Sequence, residues 1–200
     1  LVDTQIPTWT TANGTLNTTI QCTNDAAAFA AQLAAAQAFV PIPTDACTPL
    51  GTLTANRVKV AGAFAQSAPG TCVTAGTYTN TFTTTDACGN ASIIYTQIIT
   101  IVDNTSPTLG DPGPQTLNVG AGANCQVPLP DYRGMVTYLN CTPILSSVQS
   151  PAPGTTIVGG PGPGPVGGSQ VVTITVTDGC GNVSTRNITV NLVDATPPIA

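Results

Sequence analysis

The sequence TDACGNAS at residues 85–92 recurs, with two substitutions, as TDGCGNVS at residues 177–184. In both copies the aspartate and asparagine can hydrogen-bond their own backbone, and the glycine between them tolerates a positive φ. β-Branched residues alternate with polar ones on either side of each copy, and this combination predicts a β-hairpin. The chain therefore contains two equivalent hairpins about 90 residues apart.

The strands around the second copy have the clearer pattern, with apolar residues at every other position. Because side chains alternate between the two faces of a strand, such residues share one face. Two triplets are predicted to face a common core: Val172, Ile174 and Val176 before the turn, and Ile188, Val190 and Leu192 after it.

Another motif marks the ends of two repeats. Proline follows aspartate by four residues in LVDTQIPT at residues 1–8, IVDNTSPT at 101–108 and LVDATPPI at 192–199. Counted between Asp3, Asp103 and Asp194, the repeats are 100 and 91 residues long, and a fixed period is typical of a domain array. The predicted domains are residues 1–102 and 103–193, with the start of a following repeat or a linker at 194–200.

Composition indicates a β protein with few charges. Only 6% of the residues are charged, against roughly 25% in an ordinary soluble protein. Threonine, which is β-branched and neutral, fills polar positions in runs such as residues 79–87 and favours strands. The net charge of −5 argues against a nucleic-acid partner. The longest apolar stretch, residues 26–40, is too short and too rich in alanine to span a membrane.

One helix is predicted, at about residues 25–39. Asn24 or Asp25 can cap its start, alanine favours it, and Pro41 ends it. An apolar face at helical spacing is formed by Phe29, Leu33, Ala36 and Val40. That face either closes the core of its own domain or docks a neighbouring subunit.

The motifs resemble the HYR-like (hyalin-repeat-like) repeats, which are immunoglobulin-like domains of large secreted bacterial surface proteins. NCQVPLPDY, SPAPGTTI, VTITVTDGCGNVS and VDATPP carry the resemblance in the second repeat, and TDACGNAS and VDNTSPT carry it in the first. It spans nearly all of residues 103–194 and chiefly the second half of residues 3–102. The resemblance implies an all-β chain of two tandem immunoglobulin-like β-sandwich domains, the first with a short Ala-rich helical insertion. It implies a role in adhesins and extracellular fibres, and it transfers no catalytic residues.

Seven cysteines and no histidine favour disulfides over a metal site, and disulfides are typical of an oxidising, extracytoplasmic compartment. Equivalent positions in the two repeats predict pairs between Cys22 and Cys47, between Cys125 and Cys141, and, in the first repeat, between Cys72 and Cys88. Four cysteines in the first repeat allow three pairings, so this connectivity is a hypothesis. Cys180 matches Cys88 but has no counterpart of Cys72. It is therefore predicted to be unpaired within its repeat, either as a buried thiol or as a bridge to another chain.

Two kinds of surface site are predicted. The recurring aspartates are candidate Ca²⁺ ligands, because this ion takes several oxygens, and the competing interpretation is that they fix turns. These aspartates are Asp3, Asp86, Asp103, Asp178 and Asp194. Seven Asn-x-Ser/Thr sequons are candidates for N-glycosylation: Asn13, Asn17, Asn90, Asn104, Asn140, Asn182 and Asn187. No cofactor other than structural calcium is predicted.

No enzyme activity is predicted, because the chain has no histidine to act as a base and a cysteine nucleophile then lacks its activator. We predict a structural segment of an extracellular, repeat-built surface fibre or filament. Its partners are neighbouring repeats and identical subunits, because low charge leaves sheet edges able to assemble, and the resemblance implies an adhesive role. One alternative is an adhesin module that binds a glycan or host surface through the helix or the Pro/Gly-rich loop at residues 150–168. The other is an accessory domain of a secreted enzyme.

Overall fold

The structure is a computed structural model that describes residues 2–67, 70, 72–119, 125–158 and 168–194. The chain divides into two compact units, Leu1–Asn104 and Thr105–Ala200. The sequence predicted this boundary between residues 102 and 103. The predicted following repeat or linker lies outside the described residues except for Asp194.

The first unit contains a five-stranded sheet in the order β2-β7-β6-β4, with β5 also paired to β6. Strands β6 and β7 form the predicted antiparallel hairpin, and β2 runs parallel to β7. A separate pair joins β1 to β3. The strands are β1 (Thr8–Trp9), β2 (Thr18–Gln21), β3 (Pro43–Thr44), β4 (Val58–Val60), β5 (Phe64–Gln66), β6 (Gly76–Thr83) and β7 (Tyr95–Val102), and the helices are α1 (Ala26–Ala38) and α2 (Leu50–Ala55).

The second unit repeats this topology. Its four-stranded sheet has the order β12-β14-β15-β9, where β14 and β15 are the predicted hairpin and β9 runs parallel to β15. Two small antiparallel pairs, β8 with β11 and β10 with β13, complete the unit. The strands are β8 (Thr108–Leu109), β9 (Gln115–Asn118), β10 (Gln126–Pro128), β11 (Tyr138–Leu139), β12 (Ile144–Ser150), β13 (Thr156–Val158), β14 (Gly168–Asp178) and β15 (Val183–Val193), with a 3-10 helix at Arg133–Met135.

The core of the second unit confirms the predicted strand faces. All six residues of the two triplets, from Val172 to Leu192, are buried. They pack against Leu109 of β8, Ile157 of β13 and the connecting residues Leu129 and Tyr132. Apolar side chains from both layers therefore meet in one interior, as in a β-sandwich.

In the first unit the helix covers the sheet. Asp25 caps α1 by accepting from the backbone N–H groups of Ala27 and Ala28, each at 3.0 Å. Ala36 is buried among Ile20, Ile99 and Ile101, and Phe29 and Leu33 pack against the same cluster. The predicted apolar helix face thus serves its own domain, although Val40, beyond the helix end, is exposed.

A buried amide pair completes the packing of the first unit. Gln97 and Asn80 are both fully buried, and Asn80 Nδ2 donates to Gln97 Oε1 at 2.9 Å. Gln97 Nε2 in turn donates to the carbonyls of Ala36 at 2.9 Å and Leu16 at 3.1 Å. The side chain therefore gives a second donor to a carbonyl near the end of α1, which also accepts from the Phe39 backbone N–H at 3.4 Å.

The chain is thus an all-β protein of two tandem immunoglobulin-like β-sandwich domains, the first with an Ala-rich helix, as predicted. Helix α2 was not predicted. Residues 159–167 of the Pro/Gly-rich loop lie outside the described residues, but Thr156–Val158 within the loop forms β13. None of the helices among the described residues is long and apolar enough to cross a membrane.

Candidate functional site

A buried aspartate holds each of the two hairpin turns. Asp86 Oδ1 accepts from the backbone N–H groups of Cys88 and Asn90, both at 2.8 Å, and Asp86 Oδ2 accepts from Asn90 Nδ2 at 2.7 Å. Gly89 has a φ of 92°, which side chains disfavour. The turn is therefore built from the aspartate, the glycine and the asparagine of the repeated motif.

The second turn has the same geometry. Asp178 Oδ1 accepts from the backbone N–H groups of Cys180 at 2.8 Å and Asn182 at 2.9 Å. Asp178 Oδ2 accepts from Asn182 Nδ2 and Asn140 Nδ2, both at 2.9 Å. Asp178 is 0% exposed, so four hydrogen bonds replace the water that its charge has lost.

These hydrogen bonds decide the charge state of both carboxylates. Burial acts to raise the pKa of Asp86, but hydrogen bonds from Asn90 and from backbone N–H groups outweigh it, and the pKa falls below its ordinary value. Burial likewise acts to raise the pKa of Asp178, and bonds from Asn182, Asn140 and the Cys180 N–H lower it overall. Both turns are therefore built around a charged aspartate at neutral pH.

This geometry predicts that the protein loses stability in acid. An aspartate whose pKa is lower in the folded protein than in the unfolded chain stabilises the fold. This stabilisation is fully present above the unfolded pKa, which is about 4 for aspartate, and is lost as pH falls through the folded pKa. We expect the unfolding temperature to be constant from pH 7 to about pH 5 and to fall below about pH 4. The double variant Asp86→Asn/Asp178→Asn should flatten that fall, whereas a fall of equal size in the variant would contradict the assignment.

Three carboxylates converge beside the first turn. Ligand oxygens of Asp3, Asp45 and Asp86 lie within 4.8 Å of one another. Asp45 Oδ1 accepts from the backbone N–H of Cys47 at 2.9 Å, just as Asp86 does from Cys88. Asp3 Oδ2 is buried and has no hydrogen-bond partner among the residues that the structure describes. The group brings together two predicted calcium ligands and one residue, Asp45, that was not predicted.

A repeated tetrapeptide is the sequence signal that identifies Asp45. TDAC occurs at residues 44–47 and again at residues 85–88. In both places the aspartate accepts from the N–H of the cysteine two residues later, which is the Asx-turn that this spacing allows. The tetrapeptide therefore predicts two equivalent turns, and the structure places them side by side.

The carboxylate group does not fit a calcium site as it stands. Ca²⁺ takes six to eight oxygen ligands, whereas three side chains converge here, and both oxygens of Asp86 and one of Asp45 already accept hydrogen bonds from turns. Both oxygens of Asp178 likewise already accept hydrogen bonds. Asp103 is buried, with Gln21 Nε2 at 3.4 Å from its Oδ1, and Asp194 is half-buried after β15. The calcium ligands remain a prediction, and the turns account for Asp86 and Asp178.

Two thiols lie next to this group. Cys47 and Cys88 are free and exposed. Their segments touch, because the backbone N–H of Ala87 donates to Thr48 Oγ1 at 3.2 Å. The negative charge of Asp3 is the largest cause that raises the pKa of the Cys47 thiol, with further contributions from desolvation, Asp45 and Cys88. A raised pKa keeps the thiol protonated, the opposite of what a catalytic cysteine needs.

A cavity of about 410 Å³ adjoins Cys47. Its walls come mainly from the segment between residues 42 and 53, together with Thr10, whose backbone N–H donates to the Ile42 carbonyl at 2.9 Å. The side chains that line it are mostly apolar or hydroxyl-bearing, including Ile42, Thr48 and Leu53. Asp45 is the one charged residue among the lining residues, so the cavity has no acid–base pair of the kind that hydrolysis uses.

The predicted cysteine pairing is wrong. Cys22, Cys72, Cys141 and Cys180 are disulfide-bonded, whereas Cys47, Cys88 and Cys125 are free. The pairs Cys22–Cys47, Cys72–Cys88 and Cys125–Cys141 therefore do not form here, and Cys180 is bonded rather than unpaired. Repeat equivalence misled the prediction, because pairing depends on which cysteines the tertiary fold brings into contact. The bonded cysteines themselves indicate an oxidising compartment.

The sequons fall into two groups. Asn90, Asn140 and Asn182 are half-buried, and their Nδ2 atoms donate to aspartate oxygens of the turns. Because a glycan attaches to Nδ2, those three would first have to give up their role in the turns. The exposed sequon asparagines are Asn13, Asn17, Asn104 and Asn187. Glycosylation of the exposed group remains a prediction.

Comparison with known proteins adds little to the architecture. No protein-family model matches the chain, and a comparison with curated proteins gives no match either. Among solved structures, mouse clustered PcdhgC3 EC1-3 is 16% identical over 74% of this chain with a TM-score of 0.32. Mouse Cadherin-23 EC22-24 is 12% identical over 94% with a TM-score of 0.35. PcdhgB3 EC1-4 is 8% identical over 96% with a TM-score of 0.32.

The matched regions span 58%, 67% and 51% of those three structures. At these TM-scores the similarity does not bear on what this chain binds or does.

Proposed function

We propose that the chain is a structural segment of an extracellular, repeat-built surface fibre in which sheet edges join it to further copies. The tandem sandwich architecture supports this role, because such units are well suited to stacking along a chain. The resemblance of the repeated motifs to HYR-like repeats supports the same role. So do the four disulfide-bonded cysteines, which are typical of secreted proteins.

The low charge of the sheet edges is the observation that carries the proposal. Proteins keep exposed edge strands apart mainly with charged side chains, above all lysine. Strands β2, β4, β9 and β12 are the ends of the two main sheets, and Lys59 of β4 is the one charged residue in these four strands. The strands themselves therefore carry little of the usual charge protection against pairing with another chain. At β12 a charge comes from outside the strand, where Arg133 Nη1 donates to the Ser147 carbonyl at 3.4 Å.

Strand β12 is the edge best suited to such pairing. It is seven residues long, carries no charge and pairs on one side with β14. Val148 in its middle is 57% exposed, and Leu145 is exposed near its start. An edge with apolar side chains can accept a further strand through backbone hydrogen bonds, as in β-strand addition.

A single charge at this edge should weaken assembly. We expect the wild-type chain to form oligomers and filaments as concentration rises, seen by sedimentation velocity and electron microscopy. Val148→Lys should raise the concentration at which half the chains are assembled about tenfold, equivalent to about 1.4 kcal/mol per contact. The charge acts because each pairing event would bury an ammonium group at the new interface.

The control is Thr175→Lys, which places the same charge on the same sheet. Thr175 is half-buried on β14 and is paired on both sides, with Val148 of β12 and with Thr185 of β15, so it has no free backbone edge. Assembly of this variant should match the wild type. A wild-type chain that stays monomeric at millimolar concentration, or equal effects of the two lysines, would count against edge pairing.

A further inference from the structure

We infer that Cys47 and Cys88 form a cross-link site: a third disulfide that ties the segment after β3 to the first hairpin turn. Both residues end a TDAC tetrapeptide. Each has its backbone N–H bonded by the aspartate two residues earlier, at 2.9 Å for Cys47 and 2.8 Å for Cys88. The two cysteines therefore occupy the same position after the aspartate of two similar turns.

The two turns lie against each other. The carboxylates of Asp45 and Asp86 have oxygens within 4.8 Å of each other, and the hydrogen bond between Thr48 Oγ1 and the Ala87 N–H joins the residues next to the cysteines. Both thiols are exposed, so a small oxidant can reach them. Contact of the flanking backbone is what a disulfide requires, since its Cα atoms must lie within about 7 Å.

The second unit supplies an independent comparison. Cys47 begins the sequence CTPL and Cys141 begins CTPI, while Cys88 and Cys180 occupy the same place in the two hairpin turns. In both units the threonine after the first cysteine contacts the turn, since Thr142 Oγ1 lies 3.5 Å from Cys180 Sγ. Cys141 and Cys180 each belong to a disulfide. The equivalent positions of the first unit therefore carry thiols where the second unit carries oxidised cysteines.

The chemistry needs one two-electron oxidant, for which a small-molecule disulfide such as oxidised glutathione suffices. One protein thiolate attacks a glutathione sulfur and releases one reduced glutathione, which leaves a mixed disulfide. The second protein thiolate then displaces the other glutathione and forms the Cys47–Cys88 bond. Two protein thiols are oxidised, one glutathione disulfide is reduced to two thiols, and the protein thiol protons are released to water or taken up by the departing thiolates.

The attacking species is the thiolate form of either cysteine, so the exchange should quicken as pH rises, as for any thiol. The bond would also fix one wall of the cavity, because Asp45, Cys47 and Thr48 line it. The segment after β3 and the first hairpin turn would then move together.

The test counts thiols on the full-length chain. The protein is kept for several hours at pH 8 in a glutathione buffer dominated by the oxidised form, then alkylated with iodoacetamide under denaturing conditions and weighed by mass spectrometry. From three free thiols, the chain should fall to one, Cys125. Digestion with a protease that cleaves before aspartate together with trypsin places Cys47 in fragment 45–57 and Cys88 in fragment 86–102. These fragments should appear as one cross-linked species that reductant separates.

Two single variants make the result specific. Cys125→Ser should still lose two thiols, whereas Cys47→Ser should keep Cys88 available for alkylation or glutathionylation. Because Cys47 and Cys88 are exposed, circular dichroism should show unchanged folding in all variants. Three alkylated thiols in the wild type, stable mixed disulfides of Cys47 or Cys88 with glutathione, or covalent dimers joined through fragment 86–102 would each overturn the inference.

Discussion

Replacing Phe82 by alanine is expected to lower the free energy of unfolding of the first unit by about 3–5 kcal/mol. Phe82 is 0% exposed and contacts Tyr95 edge-to-face, with ring centroids 6.3 Å apart. The two residues are also direct partners in the pairing of β6 with β7. Alanine would leave a cavity at the turn end of the hairpin formed by β6 and β7 and remove an aromatic contact of about 0.5–1.5 kcal/mol.

The single tryptophan of the chain makes this loss measurable. Trp9 packs edge-to-face on Tyr95 at 5.8 Å, so its fluorescence reports on the first unit during denaturation by urea. The matched control is Phe39→Ala, because Phe39 is 50% exposed at the end of α1 and should cost less than about 1 kcal/mol. Equal shifts in the two variants would mean that Phe82 does not lie in a packed core.

Replacing Asp178 by alanine is expected to cost the second unit about 3 kcal/mol or more. The substitution would leave four buried or half-buried N–H donors around an empty space, because Asp178 accepts from two backbone groups and two asparagine side chains. Donors without partners in a buried position lose their hydration without compensation. The hairpin turn between β14 and β15 should fray first, as measured by hydrogen exchange of its amides.

Two further variants separate charge from shape. Asp178→Asn keeps the size but replaces one acceptor oxygen by an NH₂ group that faces two amide donors, so it should also destabilise. Asp111→Ala removes an aspartate that is 64% exposed and lies 3.8 Å from Arg186, and surface ion pairs contribute about 0–1 kcal/mol. Wild-type stability in Asp178→Asn would show that the turn does not depend on the carboxylate.

Features fixed by local sequence were predictable. The turn motif combines aspartate, glycine and asparagine, whose backbone preferences do not depend on distant residues, and the alternation around Ile174 and Val190 defined two strands. The helix Ala26–Ala38 followed from its capping aspartate and its alanine content. The repeat supported the hairpin prediction further, because the same turn motif with alternating strands on either side occurs in both halves of the sequence.

Features that depend on distant contacts were not predictable. Gln97 lies on the inward face of β7 with Tyr95, Ile99 and Ile101. A polar residue on this apolar face is explained by its hydrogen bonds to the carbonyls of Leu16 and Ala36. No sequence pattern near Gln97 indicates those partners. The parallel pairing of β2 with β7 joins segments about 80 residues apart. Helix α2 is six residues long, and no side chain caps its start. Its sequence LGTLTA therefore has no capping residue that would signal the start of a helix.

In the candidate site, too, features set by local sequence were predictable and features set by distant contacts were not. Asp3 and Asp86 were identified because their motifs recur, and the donors to Asp86 lie within its own motif. Their convergence with Asp45, by contrast, depends on the tertiary fold. Asp45 was missed although TDAC stands twice in the chain. The cysteine pairs were wrong because equivalent positions in two repeats say which cysteines correspond, whereas bonding requires contact in space.

Hydrogen exchange on the full-length chain tests most directly whether each half is stabilised by its own interior. With Phe82→Ala, amide protection should fall in the strands of the first unit, β2 to β7, and stay at wild-type levels in β14 and β15. With Ile174→Ala, which removes a fully buried side chain of the second unit, the pattern should be reversed. Loss of protection throughout the chain in either variant, to the same extent, would show one shared interior and contradict the account of two sandwich domains in series.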